Sequence, residues 1–119
     1  MTLTNITREK QCENFLKDNE VVMVYASLTY CVPCKRIFPE FEKLTEKYTN
    51  ISFCKIVLDE LDDECETYVR DKFKLTKFPS FTLLNNGIIL DSIIGPHLDK
   101  VVSILDCIGI EDGDEEVEF

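Results

Sequence analysis

The chain has 119 residues, 45% of them hydrophobic, and its 23 acidic against 13 basic side chains give a net charge of −10. That length suits one domain around one core, and no linker or repeat divides it. The negative charge repels phosphate backbones and no basic aromatic stripe interrupts it, so nucleic acid is not an expected partner. The longest apolar stretch is far short of a membrane span or a signal-peptide core, so no membrane association is expected and the expected location is cytoplasmic. Six cysteines without a secretion signal argue against a structural disulfide framework.

Residues 3–6 can form a short strand. Thr7 is placed to cap a helix over residues 8–19, whose inner face carries Cys12, Phe15 and Leu16, so Cys12 belongs to the core. Residues 21–27 are continuously apolar, as central parallel strands are. A helix over residues 32–49 follows, with Ile37, Phe41, Leu44 and Tyr48 on one face and Pro39 inside, where it is expected to kink the helix.

Ile51 to Asp59 reads as the next strand. Asp62 or Asp63 then caps a helix that aligns Cys65, Tyr68, Val69 and Phe73, with Cys65 expected to be partly exposed near the helix start. Pro79 opens a strand through Leu84, Asn86-Gly87 is a strong hairpin signal, and Ile88 to Ile94 is the partner strand. Gly95-Pro96 begins a last helix with a stripe of Leu98, Val101, Val102, Leu105 and Ile108, leaving Cys107 off its centre. The order requires an α/β fold, a mixed sheet of four to five strands flanked by four helices. The domain covers residues 1–110. Residues 111–119 hold six acids and no base, leaving −4 for the rest, and such a block is expected to be a disordered tail.

Cys31-Val32-Pro33-Cys34 falls at a strand-to-helix junction. A helix N-terminus presents unsatisfied N–H groups and a partial positive charge, so a thiol there ionises more readily than the free group, whose pKa is about 8.5. Cys31 is therefore the candidate nucleophile. Cys34, three residues on, is within reach to close a small disulfide or to attack a mixed one, which makes it the candidate resolving thiol. Pro33 fits the first helical turn, where its missing N–H breaks no bond. The same spacing also serves zinc, which takes four ligands, but no second CxxC exists and His97 is the sole histidine. Neither a metal nor a cofactor is expected.

These landmarks in this order resemble the thioredoxin family over nearly the whole chain before the tail. Cys31-Val32-Pro33-Cys34-Lys35 resembles the family's WCGPCK segment, and Pro39 its helix-kinking proline. Residues 55–59 resemble its third central strand and Phe78-Pro79 its cis-proline dipeptide, while Asn86-Gly87 and Gly95 match its late glycines. The resemblance implies a thioredoxin fold and the reduction of protein disulfides by dithiol–disulfide exchange through Cys31 and Cys34. It implies disulfide-containing protein substrates, an electron donor of the thioredoxin-reductase type, and action as a monomer. Tyr30, Val32, Phe78, Pro79 and Gly95 are then the expected substrate-binding residues, the cis peptide aiming the Phe78 backbone at an extended substrate.

The chain also departs from the family pattern. Tyr30 replaces the tryptophan and Val32 the glycine of the active-site segment, and Tyr25 stands where the family has a buried aspartate. Lys55 matches the lysine that accompanies that aspartate, so it is expected either to reach solvent or to lean on the Tyr25 hydroxyl. With Pro33, these two residues are expected to tune the thiols. Residues 59–79 are longer than the usual family segment. The competing class is an adaptor of the same fold with little turnover, recruited by the acidic tail or by that lengthened segment.

Overall fold

The computed structural model describes residues 3–109. Its elements are β1 (Leu3–Asn5), α1 (Glu9–Asp18), β2 (Val21–Ser27), α2 (Val32–Lys47), β3 (Ser52–Val57), a single 3-10 turn (Leu58–Glu60), α3 (Asp63–Phe73), β4 (Ser80–Asn85), β5 (Ile88–Ile94) and α4 (Leu98–Gly109). The strands form one sheet in the order β1-β3-β2-β4-β5. β1, β3 and β2 are parallel, β4 is antiparallel to β2, and β5 is antiparallel to β4. The expected mixed sheet thus has five strands, with β2 at its centre.

Alternation along β2 divides the core in two. Val22, Val24 and Ala26 face α1 and α3, packing with Cys12, Leu16, Val69 and Phe73. Met23 and Tyr25 point the other way, toward Ile37 and Phe41 of α2 and Val101 and Leu105 of α4. With both faces covered, β2 is apolar at successive positions and not at alternate ones.

Local chemistry sets several boundaries. Arg8, not Thr7, holds the N-cap position of α1, and it makes no side-chain cap bond. Gln11 reaches back from the first turn to the chain before the helix: its Oε1 accepts the Thr7 N–H at 2.9 Å and its Nε2 donates to the Asn5 carbonyl at 3.0 Å. Thr7 lies one residue before the N-cap position, so its hydroxyl is not placed to cap the helix. α3 is capped by Asp62, whose carboxylate accepts the Cys65 N–H at 2.8 Å. Cys65 itself is buried, not partly exposed, because α1 packs across that end of α3 and the thiol faces the Thr7 carbonyl. β3 stops at Val57 because Leu58–Glu60 turns, and α4 starts at Leu98, past Gly95 and Pro96. Asn86 and Gly87 both have positive φ, 53° and 81°, the backbone that a two-residue hairpin turn requires. The tail at residues 111–119 lies outside the described residues.

Candidate redox site

β2 runs through the centre of the sheet and ends at Ser27, where the order reverses: β3, reached through α2, lies on one side and β4 on the other. The crevice beyond the carboxyl end of a strand at such a switch point is where open α/β sheets place their chemistry. Leu28–Tyr30 turn the chain there, with the Cys31 N–H donating to the Leu28 carbonyl at 3.2 Å. Thr29 fixes the turn from outside. Its N–H donates to the Asp59 carboxylate at 3.0 Å and its hydroxyl donates to the other carboxylate oxygen, which lowers the Asp59 pKa. Nothing local in the sequence signals a contact between positions 30 residues apart.

Cys31 is the N-cap of α2, and its Sγ accepts the Cys34 N–H at 3.2 Å. One of the orphan amides of the helix start is thereby aimed at sulfur. Pro33 occupies the first turn, as expected. Cys31 is half-buried, Cys34 is 2% exposed, and the two are joined as a disulfide. Tyr30 and Val32 flank the pair and are 72% and 69% exposed, so both rims of the disulfide are apolar and open to solvent.

The Phe78–Pro79 peptide is cis. The register Ala26↔Ser80 sets Pro79 at the same end of the sheet as Ser27 and the turn leading to Cys31. The Pro79 carbonyl accepts the Gly95 N–H at 2.8 Å, which brings Gly95 to that end as well. Gly95 has φ +103°, a backbone that calls for glycine, and a Cβ there would meet only the ring of the exposed His97, with Nε2 at 2.9 Å. Phe78 is half-buried, with the Arg70 guanidinium 5.5 Å from its ring centroid. Ile94, beside Gly95 and 47% exposed, adds an apolar side chain that the sequence reading did not single out. An exposed isoleucine near the end of an edge strand was the available signal.

Tyr25 lies beneath Cys34. Its hydroxyl donates to the Cys34 carbonyl at 3.2 Å, and its ring packs on Phe41, Phe81 and Phe38 at centroid distances of 4.9, 5.3 and 5.8 Å. Burial raises its pKa, with a hydrogen bond to Ser27 acting in the opposite direction. Lys55 is half-buried, and its Nζ sits 4.8 Å from the Phe38 ring centroid. The aromatic face attracts the cation. Behind Cys34 these residues line a cavity of about 420 Å³ together with Ser27 and Glu60. Among the described residues no group of three or more His, Cys, Asp or Glu side chains is arranged to hold a metal ion.

The remaining thiols are free. Cys12, Cys54 and Cys65 are buried, and Cys107 is exposed on α4. Burial pushes the Cys12 thiol up to about 11 and raises Cys54 and Cys65 as well.

The family model for thioredoxin matches residues 3–106. Thioredoxin 1 of Plasmodium falciparum is 31% identical over 92 residues, covering 77% of this chain and 84% of that protein. Mitochondrial thioredoxin-3 of Saccharomyces cerevisiae is 31% identical, covering 81% of this chain and 72% of its own. Among solved structures, a P. falciparum thioredoxin superposes with a TM-score of 0.79 at 27% identity, over 88% of this chain and 98% of that one. A Schistosoma mansoni thioredoxin gives 0.79 at 28% identity, over 90% and 95%. A five-stranded mixed sheet with four helices and a cysteine pair at the start of α2 defines a thiol–disulfide oxidoreductase of thioredoxin fold. The chain belongs to the thioredoxin family, and its activity is that of a thioredoxin-type disulfide reductase, acting on disulfide-containing proteins and re-reduced by a reductase.

Proposed function

We propose that Cys31 attacks the substrate disulfide and that Cys34 resolves the resulting mixed disulfide. The carrying observation is the Cys34 N–H donating to Cys31 Sγ at the start of α2. In the reduced protein the same amide and the helix dipole favour the Cys31 thiolate over the thiol. Cys31 reaches solvent and Cys34 does not, so an incoming disulfide meets Cys31 first. Attack forms a Cys31–substrate disulfide and expels one substrate thiolate. Cys34 then attacks Cys31 Sγ, closing the intramolecular disulfide and releasing the second thiolate.

Tyr30, Val32, Phe78, Pro79 and Gly95 form the docking surface in this reading, with Ile94 added. The exposed side chains supply apolar contact, and an extended substrate takes main-chain hydrogen bonds from the backbone beside Pro79. Tyr25 and Pro33 hold the first turn of α2 in place. We place the protein in the cytoplasm, where free thiols such as Cys12, Cys54, Cys65 and Cys107 stay reduced. It acts as a monomer, since one chain supplies the whole site. Dithiol-coupled insulin reduction tests the assignment: the wild type should turn over and Cys31→Ser should not, whereas turnover by Cys31→Ser would remove Cys31 from the mechanism.

A further inference from the structure

A cation is laid against the docking surface. Arg70 stands in the last turn of α3 with its guanidinium 5.5 Å from the ring centroid of Phe78, the residue before the cis Pro79. Its orientation is fixed from its own helix: Nε and Nη2 both reach Glu66 Oε2 at 3.0 Å, four residues earlier. Glu before Arg at this spacing is the favourable order, and the planar fork then lies along the aromatic face. The two N–H groups of Nη1 have no protein partner among the described residues. The Arg70 side chain is 38% exposed, so a substrate group can reach it.

The charge around the site is divided. Residues 70–77, which lead into Phe78, hold four basic side chains against one acidic, whereas residues 59–66 hold six acidic and no basic. Asp59 of the acidic run clamps Thr29 in the turn before Tyr30, while the exposed Lys77 of the basic run adjoins Phe78. The rim is therefore acidic on the Tyr30 side and basic on the Phe78 side. Glu66 neutralises Arg70 at long range, so selection there rests on contact, through the unclaimed N–H pair of Nη1 with the Lys77 charge nearby. Such a fork bonds a carboxylate more strongly than an amide and repels a cation.

We propose that Arg70 is a specificity-determining residue, selecting protein disulfides that carry an acidic side chain two residues from the reacting cysteine, on the stretch that passes Phe78. The inference rests on the reading of Phe78 and Pro79 as docking surface and of Cys31 as the attacking thiol. In an extended substrate, residues two apart share a face and lie roughly 6–7 Å from each other along the strand, so the carboxylate is presented on the same side as the cysteine. The net charge of −10 acts in the opposite direction, drawing basic substrates at long range. A preference for acidic ones therefore identifies a local contact.

Disulfide-linked peptide dimers identical but for Glu, Gln or Lys two residues before the cysteine, and a second trio varied two residues after it, are reduced in single turnover at roughly 0.15 M salt, where charges beyond about 8 Å are screened. Each rate is divided by that of β-mercaptoethanol with the same peptide, which removes the effect of the charge on the leaving thiolate. In one trio the Glu peptide should react about fivefold faster than the Gln peptide, and the Lys peptide slower than both. Arg70→Met, whose straight chain still covers Phe78, should bring the Glu-to-Gln ratio to about one, and Arg70→Lys should keep an intermediate ratio. Glu66→Gln, which frees the rest of the fork, should raise it. No preference in either trio, faster reduction of the Lys peptide, or an unchanged ratio in Arg70→Met would overturn the proposal; the last, with all three peptides slowed alike, is what a merely structural role would give. Should Arg70→Met fail to fold, a ratio in Arg70→Lys equal to that of the wild type would overturn it instead. Binding of the same peptides with Ser for Cys, read from the Arg70 Nε signal of the oxidised wild type by NMR, separates this contact from the redox assignment. Were no peptide reduced, Cys31 would fall as nucleophile, yet tighter binding of the Glu peptide would uphold the contact and equal binding would overturn it.

Discussion

Three helices of this protein carry a cysteine in or beside their first turn, and only one builds a redox site around it. Cys31 is the N-cap of α2, Cys65 is the third residue of α3, and Cys12 is the fourth of α1. All three lie in the positive field of a helix start, which by itself favours a thiolate. What separates them is where the free amides go and what covers the sulfur. In α2 the Cys34 N–H donates to Cys31 Sγ. In α3 the equivalent amide, that of Cys65, donates to the Asp62 carboxylate, and burial, followed by the nearby charges of Asp62 and Glu9, opposes ionisation of the Cys65 thiol. Cys12 lies 2% exposed in the core, where burial dominates and raises its pKa to about 11. A helix N-terminus therefore does not make a thiol reactive unless its amides remain unclaimed and the sulfur reaches solvent.

The largest effect that distinguishes the two regions is on turnover. Cys31→Ser should lower insulin reduction at least ~1,000-fold, because it removes the solvent-facing thiol of the pair and leaves only the buried Cys34. Cys12→Ala, Cys54→Ala and Cys65→Ala should each stay within about twofold of wild type in the same assay, none touching the pair. Loss of turnover in any of those three would merge the two regions.

Alkylation rates come next. At pH 8 in the reduced protein, iodoacetamide followed by peptide mapping should label Cys31 at least ~100-fold faster than Cys12, whose pKa of about 11 leaves it almost wholly protonated. Cys54 should lag further, being more deeply enclosed. The exposed Cys107 should label at an ordinary thiol rate and serves as the internal standard.

Substitution of Tyr25 tests the layer beneath α2. Tyr25→Asp puts a carboxylate among Phe38, Phe41 and Phe81 and removes a large ring, and it should cost about 3–5 kcal/mol in a denaturant titration. Tyr25→Phe keeps the ring and loses only the bond to the Cys34 carbonyl, for about 1 kcal/mol. Equal losses in the two variants would mean that the ring's surroundings contribute little.

The buried thiols should also make stability pH-dependent on the alkaline side. Their folded pKa values exceed the unfolded ones, so the unfolded chain releases protons first. The contribution is complete below about pH 9 and falls as pH rises toward 11. For Cys12 the loss is about 2 kcal/mol. Denaturant titrations at pH 8 and 10.5 should show the drop, and Cys12→Ala should reduce it.

Much of this was legible in the sequence, for identifiable reasons. The continuous apolar run at residues 21–27 marked a strand covered on both faces, Asn86-Gly87 marked the hairpin, and Cys31-Val32-Pro33-Cys34 at the strand-to-helix junction marked the site. Each signal is local, carried by neighbouring residues. The features that escaped depend on tertiary contacts. The Thr29–Asp59 clamp joins two turns far apart in the chain, and burial of Cys65 depends on how α1 crosses α3. The contact of Lys55 with the Phe38 ring joins β3 to α2, which no local pattern announces. Thr7 was a plausible cap by residue type, but the helix begins one residue further on, with Arg8 at the N-cap.

The assignment of unequal roles to the two active-site thiols is tested most directly by trapping. Reduced Cys34→Ser, which keeps the attacking thiol and lacks the resolving one, is incubated with insulin, and the adduct is mapped by mass spectrometry. The account predicts one stable mixed disulfide per chain, through Cys31. An adduct through Cys12, Cys54, Cys65 or Cys107, or multiple turnover without any trapped species, would contradict it.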